Sequence, residues 1–352
     1  MLTELFYPYA KGGAERRYAE IAKRLAKKHE VTVYSLHMLG VEKEEVWNNV
    51  TIRRVGIKFN PNKRPRYLIA SYLPAFIKSL KRDYDIIDAN QGFATLIGYF
   101  KKFTERPLVA TFHDLYMRRW FRFPFFQSIA GMCLEKLWKY ANFDLIFANS
   151  SETKRKLLSA GFKSRIEVVP SGIDLERIQR VHAKKEDVIV YVGRLEHYKR
   201  VDILLDAAKE LEYEIHIIGA GSMEQVLRRR APKNVKFLGF LSEEEKIKEM
   251  RKAKVLVNPS ELEGFGLVLL EAMACETLPI ARDLACYRDF ANEKNAILIK
   301  EMDAEKLANA IRYAMEHWHE YRDALLITAK RFDWDGITKI VERYYEKLLE
   351  CV

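Results

Sequence analysis

Glu263 and Glu271 stand eight positions apart, with Gly264 and Gly266 after the first and the apolar run Leu267-Val-Leu-Leu270 leading to the second. The glycines interrupt the preceding pattern and the apolar run reads as a helix. The amides of Phe265, Gly266 and Leu267 are therefore expected at a helix N-terminus, where free N–H groups attract anionic oxygens. A carboxylate accepts from two neighbouring hydroxyls, as the acidic residue of dinucleotide sites does for a ribose. The spacing supplies one acceptor for a sugar, one for a ribose and a positive helix end between them for a diphosphate. The plainer reading of Glu271 is an i,i+4 partner or a carboxylate in the first turn of a helix.

Three other places carry suitable groups. Gly193-Arg194-Leu-Glu-His-Tyr-Lys199 follows a strand pattern. There Arg194 offers a planar fork and Lys199 a flexible point charge, together a clamp for a diphosphate, or else solvated surface charge. Gly12-Gly13 precedes a helical pattern, so backbone can approach a ligand closely, although such a pair is more often only a turn. His113-Asp114 ends the strand pattern Leu108-Val-Ala-Thr-Phe112, and open parallel sheets bind ligands at the C-terminal ends of their strands. A lone histidine there is structural or functional with equal ease.

The elements that must position these groups alternate strand and helix. Tyr18, Ile21, Ala22 and Leu25 recur at helical spacing and Val31–Ser35 reads as a strand. Further strands are predicted at 84–89, 107–112, 144–149 and 166–169. The pattern restarts at Val188, with strands at 188–192, 214–218, 235–238, 255–259 and 278–281. Helices are predicted at 201–211, 243–252, 267–274, 304–318 and 334–349. Connections of this kind mean parallel pairing with right-handed crossovers. The fold class is α/β. The domains read as 1–172, 173–330 and a C-terminal helix, 331–352, packing back toward the first domain. Only Met1–Phe6 precede the first loop, a short opening strand that places the recorded start inside it.

A chain of 352 residues exceeds what one core usually holds, and 49% hydrophobic with 31% charged residues describes a globular protein rather than a disordered one. No apolar run reaches the length of a membrane span. The four cysteines form no CxxC pair, which with the absence of a leader pattern reads as cytoplasmic. Residues 1–170 carry 30 Lys and Arg against 16 Asp and Glu, a net +14, whereas 171–352 carry a net −3. The first half is thus suited to an anionic partner, and a richly charged, heat-tolerant surface is the bland reading.

The motifs together resemble the retaining GT-B glycosyltransferases of glycosyltransferase family 4, the group-1 glycosyl transferases. The resemblance rests on Glu263 to Glu271 and on Gly12-Gly-Ala-Glu15, Thr111-Phe-His-Asp114 and Val169-Pro-Ser-Gly-Ile-Asp174. It extends over Val192-Gly-Arg-Leu195, Lys199, Ile218-Gly-Ala-Gly221, Phe237-Leu-Gly239, Pro259-Ser260 and Glu271-Ala-Met-Ala274. It implies two doubly wound Rossmann-like domains facing a central cleft, and a donor that is a GDP-sugar or UDP-sugar. By position Arg194 and Lys199, beside Gly193, would bind the diphosphate. Glu263 with the backbone of Phe265, Gly266 and Leu267 would hold the donor sugar, and Glu271 the ribose. Gly12 and Gly13 would approach the phosphate, His113 would contact the transferred sugar, and the backbone from Gly239 to Leu241 would hold the base. No cofactor and no metal are expected, and Asp83-Tyr-Asp85 and Asp333-Trp-Asp335 read as decoys for a metal-binding Asp-x-Asp. Two departures stand out: Glu276 where the family usually has Gly, and Leu284–Asp289 where it usually has a Gly pair followed by Glu.

Residues 116–140 interleave Arg with aromatic side chains before a helical pattern. Such a segment suits a headgroup interface, or else lines a core or an acceptor pocket. With the basic first half it predicts peripheral contact with the inner, cytoplasmic face of an anionic membrane. The predicted function is transfer of a hexose, mannose or glucose, from the nucleotide sugar to a lipid-linked or glycan acceptor. The competing readings are a sugar-nucleotide epimerase or phosphorylase on the same fold and a non-catalytic, basic nucleic-acid-binding protein. No motif for nucleic acid is present.

Overall fold

The computed structural model describes residues 1–9, 12–60, 72–115, 117 and 125–350. The basic aromatic stretch at 116 and 118–124 lies outside them. The chain divides into two compact units, Met1–Ser171 with Trp334–Val352, and Gly172–Asp333.

The first unit opens on a paired segment, Met1–Glu4, then α1 (Gly13–Leu25), β1 (Val31–Met38), β2 (Glu44–Trp47) and β3 (Val50–Phe59). It continues with α2 (Leu73–Lys81), β4 (Ile87–Asn90), a 3₁₀ stretch (Ala94–Phe103), β5 (Leu108–Phe112), α3 (Phe125–Tyr140), β6 (Leu145–Ala148), α4 (Ser151–Ala160) and β7 (Ile166–Val168). The strand order is β2-β3-β1 on one side and β4-β5-β6-β7 on the other. Leu2 joins the two, pairing in parallel with Tyr34 of β1 and Ala89 of β4. Alternate residues enter opposite cores: Leu108 and Ala110 pack with Ile97, Trp138 and Leu157, whereas Val109 packs with Tyr18, Ile21 and Trp334. This is a sheet covered by helices on both faces.

The β2–β3 hairpin lies outside the sequence expectation, which assigns no element between residues 35 and 84. Asn48 and Asn49 both have positive φ, 48° and 63°. Side-chain amides tolerate that conformation, and it gives the twist a tight hairpin needs. The paired part of the N-terminus is Met1–Glu4, the first four residues of the predicted opening strand.

The second unit contains α5 (Leu175–Arg180), β8 (Glu186–Val192), α6 (Val201–Ala208), β9 (Glu214–Ile218), α7 (Glu224–Arg230), β10 (Val235–Gly239), α8 (Glu243–Lys252) and β11 (Ala253–Asn258). Then come α9 (Leu267–Ala274), β12 (Leu278–Arg282), β13 (Ile297–Ile299), α10 (Ala304–His317) and α11 (Arg322–Arg331). Its six strands are all parallel in the order β10-β9-β8-β11-β12-β13. Counted from β8, this is 3-2-1-4-5-6, with the order reversing between β8 and β11. Local chemistry sets the helix ends. Ser242 and Glu245 form a reciprocal capping box on α8, and Asp303 caps α10.

The last helix, α12 (Trp334–Leu349), belongs to the first unit. Trp334, Ile337 and Val341, at helical spacing, are buried beside α1. Asp335 pairs with Arg24 at 2.5 Å and Glu342 meets His29 at 2.8 Å. The buried stripe should dominate, because exposed ion pairs contribute little. Trp334→Ala is expected to cost about 3–5 kcal/mol. The loss should read as a lower denaturation midpoint with faster amide exchange in α1. An unchanged midpoint would contradict the packing account.

Candidate active site

Ligands of open parallel sheets sit beyond the strand ends where the order reverses, which in the second unit means the loops after β8 and β11. The β8 loop runs through Gly193 and Arg194 to a single 3₁₀ turn, His197–Lys199, before α6. Its path is set by backbone contact with the loop after β9. Gly193 N–H donates to the Ile218 carbonyl and Leu195 N–H to the Ala220 carbonyl, each at 3.0 Å. A methyl group at Gly219, where φ is +132°, would lie 1.9 Å from the Gly193 oxygen, and one at Gly221 would lie 2.3 Å from the Leu195 oxygen. Only glycine permits this approach. Gly219 N–H in turn donates to the Gly239 carbonyl at 2.7 Å, which ties in the end of β10. Gly239 has φ +70°, Leu241 is half-buried, and Phe240 between them is 85% exposed.

The β11 loop is bound to the β8 loop. Glu261 N–H donates to the Tyr198 carbonyl at 2.9 Å, and Glu261 pairs with Arg200 at 2.5 Å. Lys199 Nζ meets Glu263 Oε1 at 2.5 Å, each side chain 14% exposed. Asn258, the last residue of β11, donates through Nδ2 to Glu263 at 3.3 Å and to the Tyr287 hydroxyl at 3.2 Å. Its orientation is fixed by Ser260 N–H, which donates to Oδ1. Arg194 donates to the Tyr198 hydroxyl and has no carboxylate partner among the described residues. Burial raises the Tyr198 phenol pKa, so the hydroxyl meets Arg194 uncharged.

Gly266 precedes α9 at φ +95°, and a methyl there would lie 2.3 Å from a ring carbon of the buried Tyr287. The turn therefore demands glycine twice, for its backbone and for its space. No side chain caps α9 at that residue, and the amides from Phe265 to Leu267 lie at its start. Glu271, buried one turn further on, meets Lys246 of α8 at 3.1 Å. Glu276 has φ +58°, the left-handed region that glycine occupies without strain. Its carboxylate is held by Arg322 at 2.8 Å and by Arg251 at 3.7 Å. Tyr287, Asn258, Tyr198 and Lys246 escape sequence reasoning. Two of them carry a signal: Tyr287 falls in the unusual 284–289 loop, and Tyr198 lies between Arg194 and Lys199.

In the first unit Gly12 caps α1 in an extended conformation and Gly13 is its first residue. His113 directly follows β5, its Nε2 2.8 Å from Asn90 Oδ1. Arg17, one turn inside α1, is wholly buried and donates to the Pro170 carbonyl. Among the described residues no three His, Cys, Asp or Glu side chains are disposed to hold a metal. Asp83 pairs with Arg106 at 2.7 Å, Asp333 accepts from Leu175 N–H, and Asp335 pairs with Arg24.

Residues 173–332 match the family described as Glycosyl transferases group 1, and residues 11–177 match Glycosyltransferase Family 4. An uncharacterized glycosyltransferase of Methanocaldococcus jannaschii is 26% identical over 99% of this chain and 98% of its own length. A phosphatidyl-myo-inositol mannosyltransferase of Mycobacterium tuberculosis is 25% identical over 75% of this chain and 74% of its own. Sucrose-phosphate synthase from Thermosynechococcus elongatus superposes with a TM-score of 0.81 at 20% identity, covering 97% of this chain and 94% of that one. Anabaena HepE, solved with UDP and glucose, gives 0.78 at 19% identity over 98% of each chain. These likenesses show the GT-B fold, built from two Rossmann-like domains. The two family matches together run from residue 11 to residue 332, and the chain belongs to glycosyltransferase family 4, the group-1 glycosyl transferases.

Proposed function

We propose that this glycosyltransferase is a retaining, metal-independent hexosyltransferase that moves mannose or glucose from a GDP-sugar or UDP-sugar to a lipid-linked or glycan acceptor. The observation that carries the reading is the Lys199–Glu263 pair at the strand-order reversal, beside Arg194 and the start of α9. Within the pair each charge neutralises the other. A diphosphate entering the loops gives Lys199 a stronger anionic partner and releases Glu263 to accept from hydroxyls of the donor sugar. Arg194 binds phosphate oxygens through its fork, and the Phe265–Leu267 amides add the positive end of α9.

Further roles are carried over from the family resemblance, residue by residue. Glu271 accepts from the ribose, the Gly239–Leu241 backbone holds the base, and Gly12 and Gly13 admit the phosphate closely. His113 accepts from a hydroxyl of the transferred sugar. In the reaction the bond from the anomeric carbon to the diphosphate oxygen breaks, and the acceptor oxygen bonds to that carbon on the same face. The acceptor proton passes to a diphosphate oxygen. The protein lowers the barrier by stabilising the negative charge that develops on the leaving diphosphate. The mannosyltransferase relative and the UDP and glucose found with HepE support these donor classes.

No helix among the described residues is long and apolar enough to cross a membrane. Tyr99, Phe103, Leu137 and Tyr140 are exposed together with Lys102, Lys136 and Lys139, and the Tyr99 hydroxyl donates to the Leu137 carbonyl at 2.7 Å. Exposed rings among lysines suit the headgroup region of an anionic cytoplasmic leaflet, so we place the enzyme in the cytoplasm, peripherally on that surface.

A nucleotide-diphosphate hexose of the correct base and sugar should stabilise the protein by about 2.7 kcal/mol at a hundredfold excess over Kd. This is read as a rise in Tm that the other donors do not give. With acceptor present, chelator should leave the rate unchanged. Lys199→Ala should lower kcat by about 10²- to 10³-fold. Donor turnover without acceptor would instead indicate an epimerase or phosphorylase. Vesicles containing phosphatidylglycerol should co-sediment the protein, and replacing Phe103 and Tyr140 with Ser should weaken that binding. Equal sedimentation with neutral vesicles would contradict the membrane assignment.

A further inference from the structure

The surroundings of His113 specify which of its nitrogens carries the proton. Thr3 is wholly buried and Asn90 nearly so. The single hydroxyl hydrogen of Thr3 goes to the Leu5 carbonyl at 3.2 Å, since a carbonyl can only accept. The Thr3 oxygen is thereby left to accept, and it takes a hydrogen from Asn90 Nδ2 at 3.0 Å. That contact turns Oδ1 of the same amide toward the imidazole, 2.8 Å from Nε2. An amide oxygen donates nothing, so the hydrogen between them belongs to the ring. Reversing any one link would leave a buried group without its partner, which the fold disfavours.

The backbone of His113 is held as firmly. Gln91 Oε1 accepts from His113 N–H at 2.7 Å, and Gln91 Nε2 donates to the Asp114 carbonyl at 2.6 Å. Among the described residues Nδ1 has no partner, and the residue is partly exposed.

We infer that the chain Leu5 carbonyl, Thr3, Asn90 holds His113 as a neutral imidazole protonated on Nε2. Nδ1 then meets the ligand as an acceptor, recognising a hydroxyl hydrogen rather than a phosphate oxygen. Thr3 and Asn90 are thereby positioning residues. The identity of the hydroxyl, on the transferred sugar, rests on the proposed function, but the tautomer does not.

The charges around the ring agree. From α1, Arg17 is buried, with Nε and one terminal nitrogen unpartnered among the described residues. From α4, Lys156 is neutralised by Asp114. From β4, Asp88 is occupied by the hydroxyls of Tyr18 and Tyr345, and Asn90 and Gln91 are uncharged. A proton added to His113 would place a second positive charge near Arg17. Burial first, and Arg17 second, pull its pKa down to about 3.

The test is long-range ¹H–¹⁵N correlation spectroscopy on the full chain labelled at histidine, without substrate, from pH 5.5 to 8. His113 should show one tautomer, with the proton on Nε2, and no titration across that range. A proton on Nδ1, or titration near the ordinary histidine pKa, would overturn the inference whether or not the protein transfers sugar. Asn90→Asp should place a carboxylate against Nε2 and give an imidazolium at pH 7. Its kcat/KM should fall about tenfold or more and recover as pH rises, whereas a purely structural role would lower activity equally at every pH. If that variant fails to fold, Thr3→Val and Thr3→Ser decide. The valine should yield mixed tautomers and the serine should restore the single one; identical spectra would overturn the relay. Saturating nucleotide sugar should move the Nδ1 resonance toward hydrogen-bonded values. Binding without such a shift would overturn the hydroxyl contact alone.

Discussion

Two opposite charges drawn from loops 64 residues apart meet at the reversal point of the second sheet, and much of that unit exists to make their meeting possible. Lys199 and Glu263 are mostly withdrawn from water, and either alone would be costly to hold there, whereas together they are tolerated. Their geometry depends on features with no charge at all. Gly219 and Gly221 let the β9 loop press against the β8 loop, Tyr191 and Leu195 anchor its underside, and the Tyr198 carbonyl receives Glu261 N–H. Asn258 then fixes Glu263 from the strand end. The pair is thus a link in a backbone-defined frame, and a ligand diphosphate would compete with one partner of a link already aligned.

The two units use different chemistry at their strand ends. In the second, cations and carboxylates are paired with one another: Lys199 with Glu263, Arg200 with Glu261, Lys246 with Glu271. In the first, the groups around His113 are neutral amides and hydroxyls, and the nearby charges are either matched, as in Lys156 with Asp114, or sealed inside, as in Arg17. Charge suits the part of a donor that carries phosphate. Fixed neutral donors and acceptors suit hydroxyls, because they discriminate by geometry without attracting anions.

Elements were legible in the sequence where local signals and burial agree. The span of α8 follows from Ser242 and Glu245 at its start, that of α9 from Gly266, and that of α12 from the spacing of Trp334, Ile337 and Val341. The β2–β3 hairpin has a local signal of its own, since Asn48-Asn49 between Val46-Trp47 and Val50-Thr-Ile52 is a turn pair flanked by alternation. β13 lies outside the sequence expectation; its three residues are all half-buried, so no alternation marks it. The sequence assigned Arg194, Lys199, Glu263 and Glu271 to loops or helix starts by their neighbours. What they touch is beyond it, because Lys246 and Asn258 reach Glu271 and Glu263 through tertiary folding. Burial of Arg17 was unreadable for the same reason. Glu276 is the reverse case: the sequence marked it as unusual, and the structure gives the cause, a left-handed backbone conformation held by Arg322 and Arg251.

The central claim, that the loops after β8 and β11 with the start of α9 hold the diphosphate of a nucleotide sugar, is tested most directly by amide hydrogen exchange with and without saturating donor. The account predicts slowed exchange at 193–199 and 261–267, with the outer strands β12 and β13 unchanged. Donor binding that leaves those two loops exchanging at their free rates, while protecting another part of the molecule, would contradict it.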